Sequence, residues 1–138
     1  MITIEKNCID VQDYLAIRNS VGWIALKEEQ AQKALIHSLY VIGAYENGQL
    51  VGMGRLVGDG AVICYVQDLI VSPEYQQKGV GAMILSHLVD YVKELRIDNT
   101  QMMLCLMCAK GREQFYEKHG FVARPTDSLG PGMIQYFC

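Results

Sequence analysis

Gln76-Gln77-Lys78-Gly79-Val80-Gly81 joins a strongly apolar stretch, Ala61 to Val71, to a helical pattern that begins near Gly79. Glycines at 79 and 81 remove the Cβ atoms that would keep an anion from the backbone. A strand-to-helix turn also presents unpaired amide N–H groups at the helix start. Such a turn can bind an anion, but glycine pairs also occur in ordinary tight connections, so the flanks carry the reading. Upstream, Pro73 cannot donate to a ladder and pushes Ser72 away from the helical region, which ends the strand. Downstream, Val80, Ile84, Leu88 and Val92 recur every fourth residue with Leu85 and Val89 beside them. Ser86, Asp90, Lys93 and Glu94 fall elsewhere, so an amphipathic helix is predicted from about Gly79 to Leu95.

The same reasoning extends in both directions. Ile2 and Ile4 alternate with polar residues as a short strand, and Asp10 is placed to cap a helix that turns Val11, Tyr14, Leu15, Ile17 and Val21 to one side. A second helix is predicted from about Lys27 to Ser38. Asn47-Gly48 marks a hairpin, because a type I′ turn needs positive φ at both central residues, and Asp59-Gly60 repeats the signal. Three meander strands follow, at about 40–46, 49–57 and 61–71. After the long helix, Met102 to Met107 reads as a buried strand parallel to the one before the helix, since a helix crosses over between them. Gly111 to His119 reads as a short helix ended by Gly120, and Phe121–Arg124 and Met133–Phe137 as closing strands.

With its flanks, Asp68-Leu69-Ile70-Val71-Ser72-Pro73-Glu74-Tyr75-Gln76-Gln77-Lys78-Gly79-Val80-Gly81 resembles motif A of the GCN5-related N-acetyltransferases, the GNAT superfamily. Phe115-Tyr116-Glu117-Lys118-His119-Gly120-Phe121 resembles motif B of the same family, in the family's order. The resemblance covers nearly the whole chain. It implies an α/β (α+β) fold in a single domain, residues 1–138. A mixed, mostly antiparallel sheet of about 6–7 strands would be flanked by about four helices, with a central V-shaped splay that admits acetyl-CoA. It also implies that backbone groups of Leu69, Ile70 and Val71 face the pantetheine arm and that Gln76, Gln77, Lys78, Gly79, Val80 and Gly81 hold the pyrophosphate. Lys78 either adds charge to that loop or is a solvated lysine. Further segments, Ser20-Val21-Gly22-Trp23, Gly52-Met53-Gly54-Arg55 and Pro131-Gly132-Met133, are similar to plant and bacterial arylalkylamine acetyltransferases.

Acetyl transfer to an amine leaves a CoA thiolate that must be protonated. A phenol, with an ordinary pKa of about 10, is matched to that task. Tyr116 is the candidate acid, on its match to the motif; the alternative is an aromatic that packs at a helix–strand junction. The family's Asn seven residues earlier is Ala109 here and an intervening Ala is Arg112, so contacts of those residues do not transfer. Asp68, the sole carboxylate of the apolar run, is the candidate base, directly or through a water; a structural pairing with Arg55 would look the same in sequence. Trp23, the only tryptophan, is either a wall for a flat substrate or a core anchor. His37, His87 and His119 share no motif and read as surface or packing residues.

Bulk properties narrow the function further. With 51% hydrophobic and 20% charged residues in 138, the composition is that of one globular domain. A net charge of −3 without a basic run argues against nucleic acid as a partner. No apolar run approaches the ~20 residues of a membrane helix and no signal peptide is visible, so a cytoplasmic protein is expected, with no membrane partner. Five scattered cysteines suit buried thiols in a reducing compartment, and Cys105-Leu106-Met107-Cys108 lacks the second pair of a zinc site, so no metal is expected. The apolar ending Met133–Cys138 would leave an adhesive edge if unpaired, which favours a homodimer. The expected function is acetyl-CoA-dependent acetylation of a small-molecule primary amine, an arylalkylamine among them, by direct attack in a ternary complex. The alternatives are a peptide or protein amine as acceptor, or a non-catalytic CoA-binding module.

Overall fold

The computed structural model describes residues 1–138. In chain order the elements are β1 (Thr3–Lys6), α1 (Val11–Ser20), α2 (Glu28–Ile36), β2 (Tyr40–Glu46), β3 (Gln49–Gly58), β4 (Ile63–Val71), a 3₁₀ turn (Pro73–Tyr75), α3 (Val80–Leu95), β5 (Met103–Leu106) and α4 (Glu113–Glu117). The sheet runs β1-β2-β3-β4-β5, and the first four strands pair antiparallel. The backbone divides into two compact units, Met1–Cys105 and Leu106–Cys138. No helix is long and apolar enough to cross a membrane.

Local chemistry explains most boundaries. Asp10 caps α1, its Oδ1 accepting from Asp13 N–H at 2.8 Å. Asn47 and Gly48 both take positive φ, 52° and 76°, as the type I′ turn requires. The second predicted hairpin is built differently. Asp59 is absent from the left-handed region; its Oδ1 instead accepts the N–H groups of Ala61, Val62 and Ile63 at 2.8 to 3.0 Å, so a wider loop separates β3 from β4 and β4 starts at Ile63. Those three bonds hold the Asp59 carboxyl below its ordinary range.

Each face of the sheet is covered by different helices. On one, Tyr14 and Ile17 of α1 and Ala31 of α2 pack with Val41, Met53 and Ile70 in a common core. On the other, α3 buries Val80, Ile84, Leu85, Leu88 and Val92. The approach of α3 is what requires the glycines of β3: a Cβ at Gly52 would lie 2.8 Å from Ile84 Cδ1, and one at Gly54 2.6 Å from Ile84 Cγ2 and 2.9 Å from Leu88 Cδ1. Gly52-Met53-Gly54 is thus a helix-packing device.

The sheet has five strands, not the six or seven expected, because neither Phe121–Arg124 nor Met133–Phe137 forms a strand. A strand persists only where its backbone groups find a partner and its side chains a face to bury. Met133, Ile134, Tyr136 and Phe137 are instead 65 to 89% exposed. Arg124 Nε and the Thr126 N–H donate within a local loop, to the carbonyls of Gly130 and Leu129. The four helices were anticipated, with α4 shorter than the Gly111–His119 expected.

Candidate functional site

Strand β4 carries the first part of the site, and a β-bulge decides where its side chains point. Arg55 of β3 pairs with Asp68, whereas the next residue, Leu56, pairs with Val66, so Gln67 is the extra residue. Directly paired residues share a face. Val66 therefore follows Leu56, and Asp68, two residues on, follows Arg55 to the opposite face, toward α1 and α2. Without the bulge, Asp68 would face α3.

Asp68 is completely buried there, and three donors take its oxygens. Tyr14 Oη donates to Oδ2 at 2.5 Å, Arg55 Nε to Oδ2 at 2.8 Å and Arg18 Nη1 to Oδ1 at 3.1 Å. Arg55 Nη1 also donates to Ser38 Oγ at 3.1 Å. Burial, then the bond to Asp68 and its charge, push the Tyr14 phenol up to about 12, against the opposing pull of Arg55 and Arg18. Of the two roles left open for Asp68, the geometry supplies the Arg55 pairing. Tyr14 and Arg18 were not anticipated as partners of Asp68, nor Ser38 as a partner of Arg55; the signal available was the i, i+4 spacing of Tyr14 and Arg18 on α1.

The anion loop follows β4 directly. Gln76 Nε2 donates to the Val71 carbonyl at 3.0 Å, tying the loop to the strand end. Gln77 and Gly79 both take left-handed backbone, at φ 63° and 82°. Gly79 is the N-cap of α3, no side chain caps that helix, and a Cβ at Gly79 would meet nothing within 4 Å. The first-turn amides, Gly81 among them, are thus orphan donors at an open surface, which suits a phosphate oxygen. Lys78 Nζ lies 5.4 Å from the centre of the Tyr75 ring, beside the loop. Tyr75 in turn bonds Glu46, chiefly responsible for holding that carboxyl below its ordinary range. Ile70 and Val80 are buried core side chains, so they can offer a ligand only backbone; Leu69 and Val71 are half-buried.

Trp23 is 38% exposed, and its ring lies over the Arg18 guanidinium, 5.2 Å from Cζ to ring centre. Arg18 thereby links Trp23 to Asp68, two residues the sequence treated separately. Tyr116 lies in the second unit, on α4. Its ring is half-buried, edge-on to Phe115 at 5.1 Å and to Phe121 at 5.8 Å. Burial first, and Cys108 second, raise its phenol above the ordinary 10, with Arg112 opposing, so it stays protonated at neutral pH. All five cysteines are free, but only Cys64 is buried, and Cys8, Cys108 and Cys138 are exposed. His119 packs on Phe115, and His37 and His87 are exposed.

Comparison with known proteins bears on the family and the fold. A family model described as an acetyltransferase (GNAT) domain matches residues 37–123. A GNAT-family acetyltransferase structure from Streptococcus pneumoniae is 34% identical, with a TM-score of 0.84 over 99% of this chain and 98% of its own. A Staphylococcus aureus structure, a protein of unknown function described as a probable acetyltransferase, is 28% identical at a TM-score of 0.87, over 99% and 100%. A Pyropia yezoensis protein named as an uncharacterized N-acetyltransferase, ycf52, is 24% identical over 94% of this chain and 74% of its own length.

Proposed function

Since the chain belongs to the GNAT acetyltransferase family, and is by that membership an N-acetyltransferase, we propose that it moves the acetyl group of acetyl-CoA to the primary amine of a small arylalkylamine, by direct attack in a ternary complex. The observation that carries the donor half is the open, uncapped start of α3 behind Gly79. Trp23, an exposed ring set over a cation, motivates the aromatic acceptor.

Acetyl-CoA, when bound, supplies an activated thioester. Gln76 to Gly81 would hold its pyrophosphate, and the backbone of Leu69 to Val71 would line its pantetheine arm. Tyr116 would give its proton to the departing sulfur; a phenol with an ordinary pKa of about 10 already carries that proton at neutral pH, and burial raises it further. The attacking amine must first lose a proton, which costs about 4 to 5 kcal/mol at pH 7 for an alkylamine of pKa near 10.4. Asp68 is occupied by Tyr14, Arg18 and Arg55, so we assign that proton to water and keep Asp68 as the residue that positions those three. A reducing, cytoplasmic setting suits the free thiols.

An amine panel with acetyl-CoA, read by free-thiol release, tests this. Tryptamine and phenylethylamine should be acetylated with higher kcat/KM than spermidine or a lysine peptide. Preference for the peptide would replace the acceptor class, and absence of thiol release with every amine would remove the activity.

A further inference from the structure

We propose that Arg18 receives a carboxylate on the acceptor, so that the preferred substrate is an aromatic amine that carries an acid group beside its amine, as an aromatic α-amino acid does. This rests on the amine-acetylation reading above.

The first argument is charge. Two guanidinium groups, Arg55 at 2.8 Å and Arg18 at 3.1 Å, share the single buried carboxylate of Asp68. Tyr14 itself stays neutral. The cluster is therefore short of one negative charge, in a place where uncompensated charge is costly.

The second argument locates the deficit. Arg55, with its side chain 8% exposed, is spent within the fold: it bonds Asp68, Ser38 Oγ and the Ala34 carbonyl. Arg18 makes two bonds, from Nη1 to Asp68 and from Nη2 to the Ile24 carbonyl at 3.2 Å. Its Nε is buried and has no partner, the one such side-chain atom in the molecule. A guanidinium holds more N–H donors than these two bonds use, so Nε–H and spare Nη–H groups remain for an acceptor. The planar fork matches a carboxylate. One surplus positive charge also matches one carboxylate better than a dianion.

The third argument is access. The Arg18 side chain is 12% exposed, and the Trp23 ring, on the irregular segment 21–27, lies 5.2 Å from its Cζ. Gly22, just before Trp23, takes left-handed backbone at φ 75°. Ile24, just after it, is 85% exposed. A carboxylate that slides beneath the ring would take the Nε–H, while the substrate's own ring stacks on the indole. The acid and the aromatic group would then be read by neighbouring residues.

The test uses the full-length protein and matched amines that differ only in the acid group: tryptamine, tryptophan and tryptophanamide, then phenylethylamine and phenylalanine. The wild type should favour tryptophan over tryptamine and over the uncharged amide by roughly tenfold to a hundredfold in kcat/KM, the range of a charged bidentate contact. Arg18→Lys keeps the charge but loses the fork, and should erase most of that preference while leaving acetyl-CoA affinity unchanged. The amide comparison alters the ligand alone, so it decides the matter even if the variant fails to fold. Indole-3-propionate, which has the acid but no amine, should inhibit competitively against the amine. Wild-type preference for tryptamine, or parity between tryptophan and its amide, would overturn the inference and leave the arylalkylamine reading intact. Turnover of spermidine or a lysine peptide, with no aromatic amine accepted, would end both.

Discussion

Arg55 and Asp68 face each other directly across β3 and β4, Nε to Oδ2 at 2.8 Å, at the point where the pairing of the two strands slips by one residue. The slip and the ion pair depend on each other. Only with Gln67 bulged out does Asp68 reach the face where Arg55, Tyr14 and Arg18 converge. A carboxylate buried on that face is tolerable only because those donors meet it.

Replacement of Asp68 by Asn keeps the shape but leaves two guanidinium groups without their counter-charge. We expect a loss of about 3 to 5 kcal/mol in denaturant unfolding, the usual cost when one partner of a buried pair is removed. Activity should fall by one proportion at every pH. Recovery of kcat at high pH would instead make Asp68 the base.

Tyr14 gives the same cluster an alkaline limit. Its folded-state pKa of about 12 lies above the ordinary 10. The stabilisation tied to the shift is therefore complete below about pH 10 and is lost as pH rises through about 12. Tyrosinate absorbance should show one phenol that ionises late, together with unfolding. Tyr14→Phe should remove that late step and cost about 1 to 3 kcal/mol at neutral pH, since Asp68 loses a donor. A late step that survives the substitution would assign it to another tyrosine.

Gly54→Val tests the contact between β3 and α3. The added Cβ would stand 2.6 Å from Ile84, so the helix must lift or Ile84 must leave its rotamer. Overpacking of this kind costs about 1 to 3 kcal/mol. Gly48→Ala, in the exposed hairpin turn at φ 76°, is the control, because it meets no atom and carries backbone strain only. Equal destabilisation by both would argue against tight helix packing at Gly54.

Elements that announce themselves by local chemistry were legible before the fold was known. Asp10 at the start of α1, the Asn47-Gly48 turn, the stop at Pro73 and the apolar period of α3 each act within a few residues. The partners of Asp68 were not legible, because Tyr14 and Arg18 lie 54 and 50 residues away and the bulge that turns Asp68 toward them leaves no mark in the alternation of β4. Asp59-Gly60 misled for a related reason, since the same dipeptide serves a type I′ turn or an Asp that caps three amides. The closing strands were misjudged because Met133–Phe137 has strand-forming residues, and propensity cannot supply the neighbour that a strand needs.

Gly79→Glu should weaken acetyl-CoA binding at least tenfold by calorimetry, because it brings bulk and negative charge to the place where helix-start amides meet phosphate. Space around Gly79 is open, so the folded state should survive, though φ 82° adds strain of about 1 to 2 kcal/mol for any side chain. Gly79→Ala carries that strain without the charge. If the two variants lose equal affinity, strain and not charge is responsible; if neither loses any, the loop lies outside the donor site.

Tyr116→Phe removes one hydroxyl and leaves the edge-on packing against Phe115 and Phe121 in place, so it separates chemistry from structure. With Tyr116 as the acid, kcat should fall by about 10² to 10⁴ while acetyl-CoA affinity holds. The pH profile gives an independent check. In the wild type, kcat/KM should climb with pH as the amine becomes neutral, then fall once the phenol ionises. Burial places that second limb above pH 10. In the variant the climb should remain and the alkaline fall should vanish, because no phenol is left to ionise. A loss below threefold, or an alkaline limb that persists in the variant, would return Tyr116 to a packing role and require another donor for the thiolate.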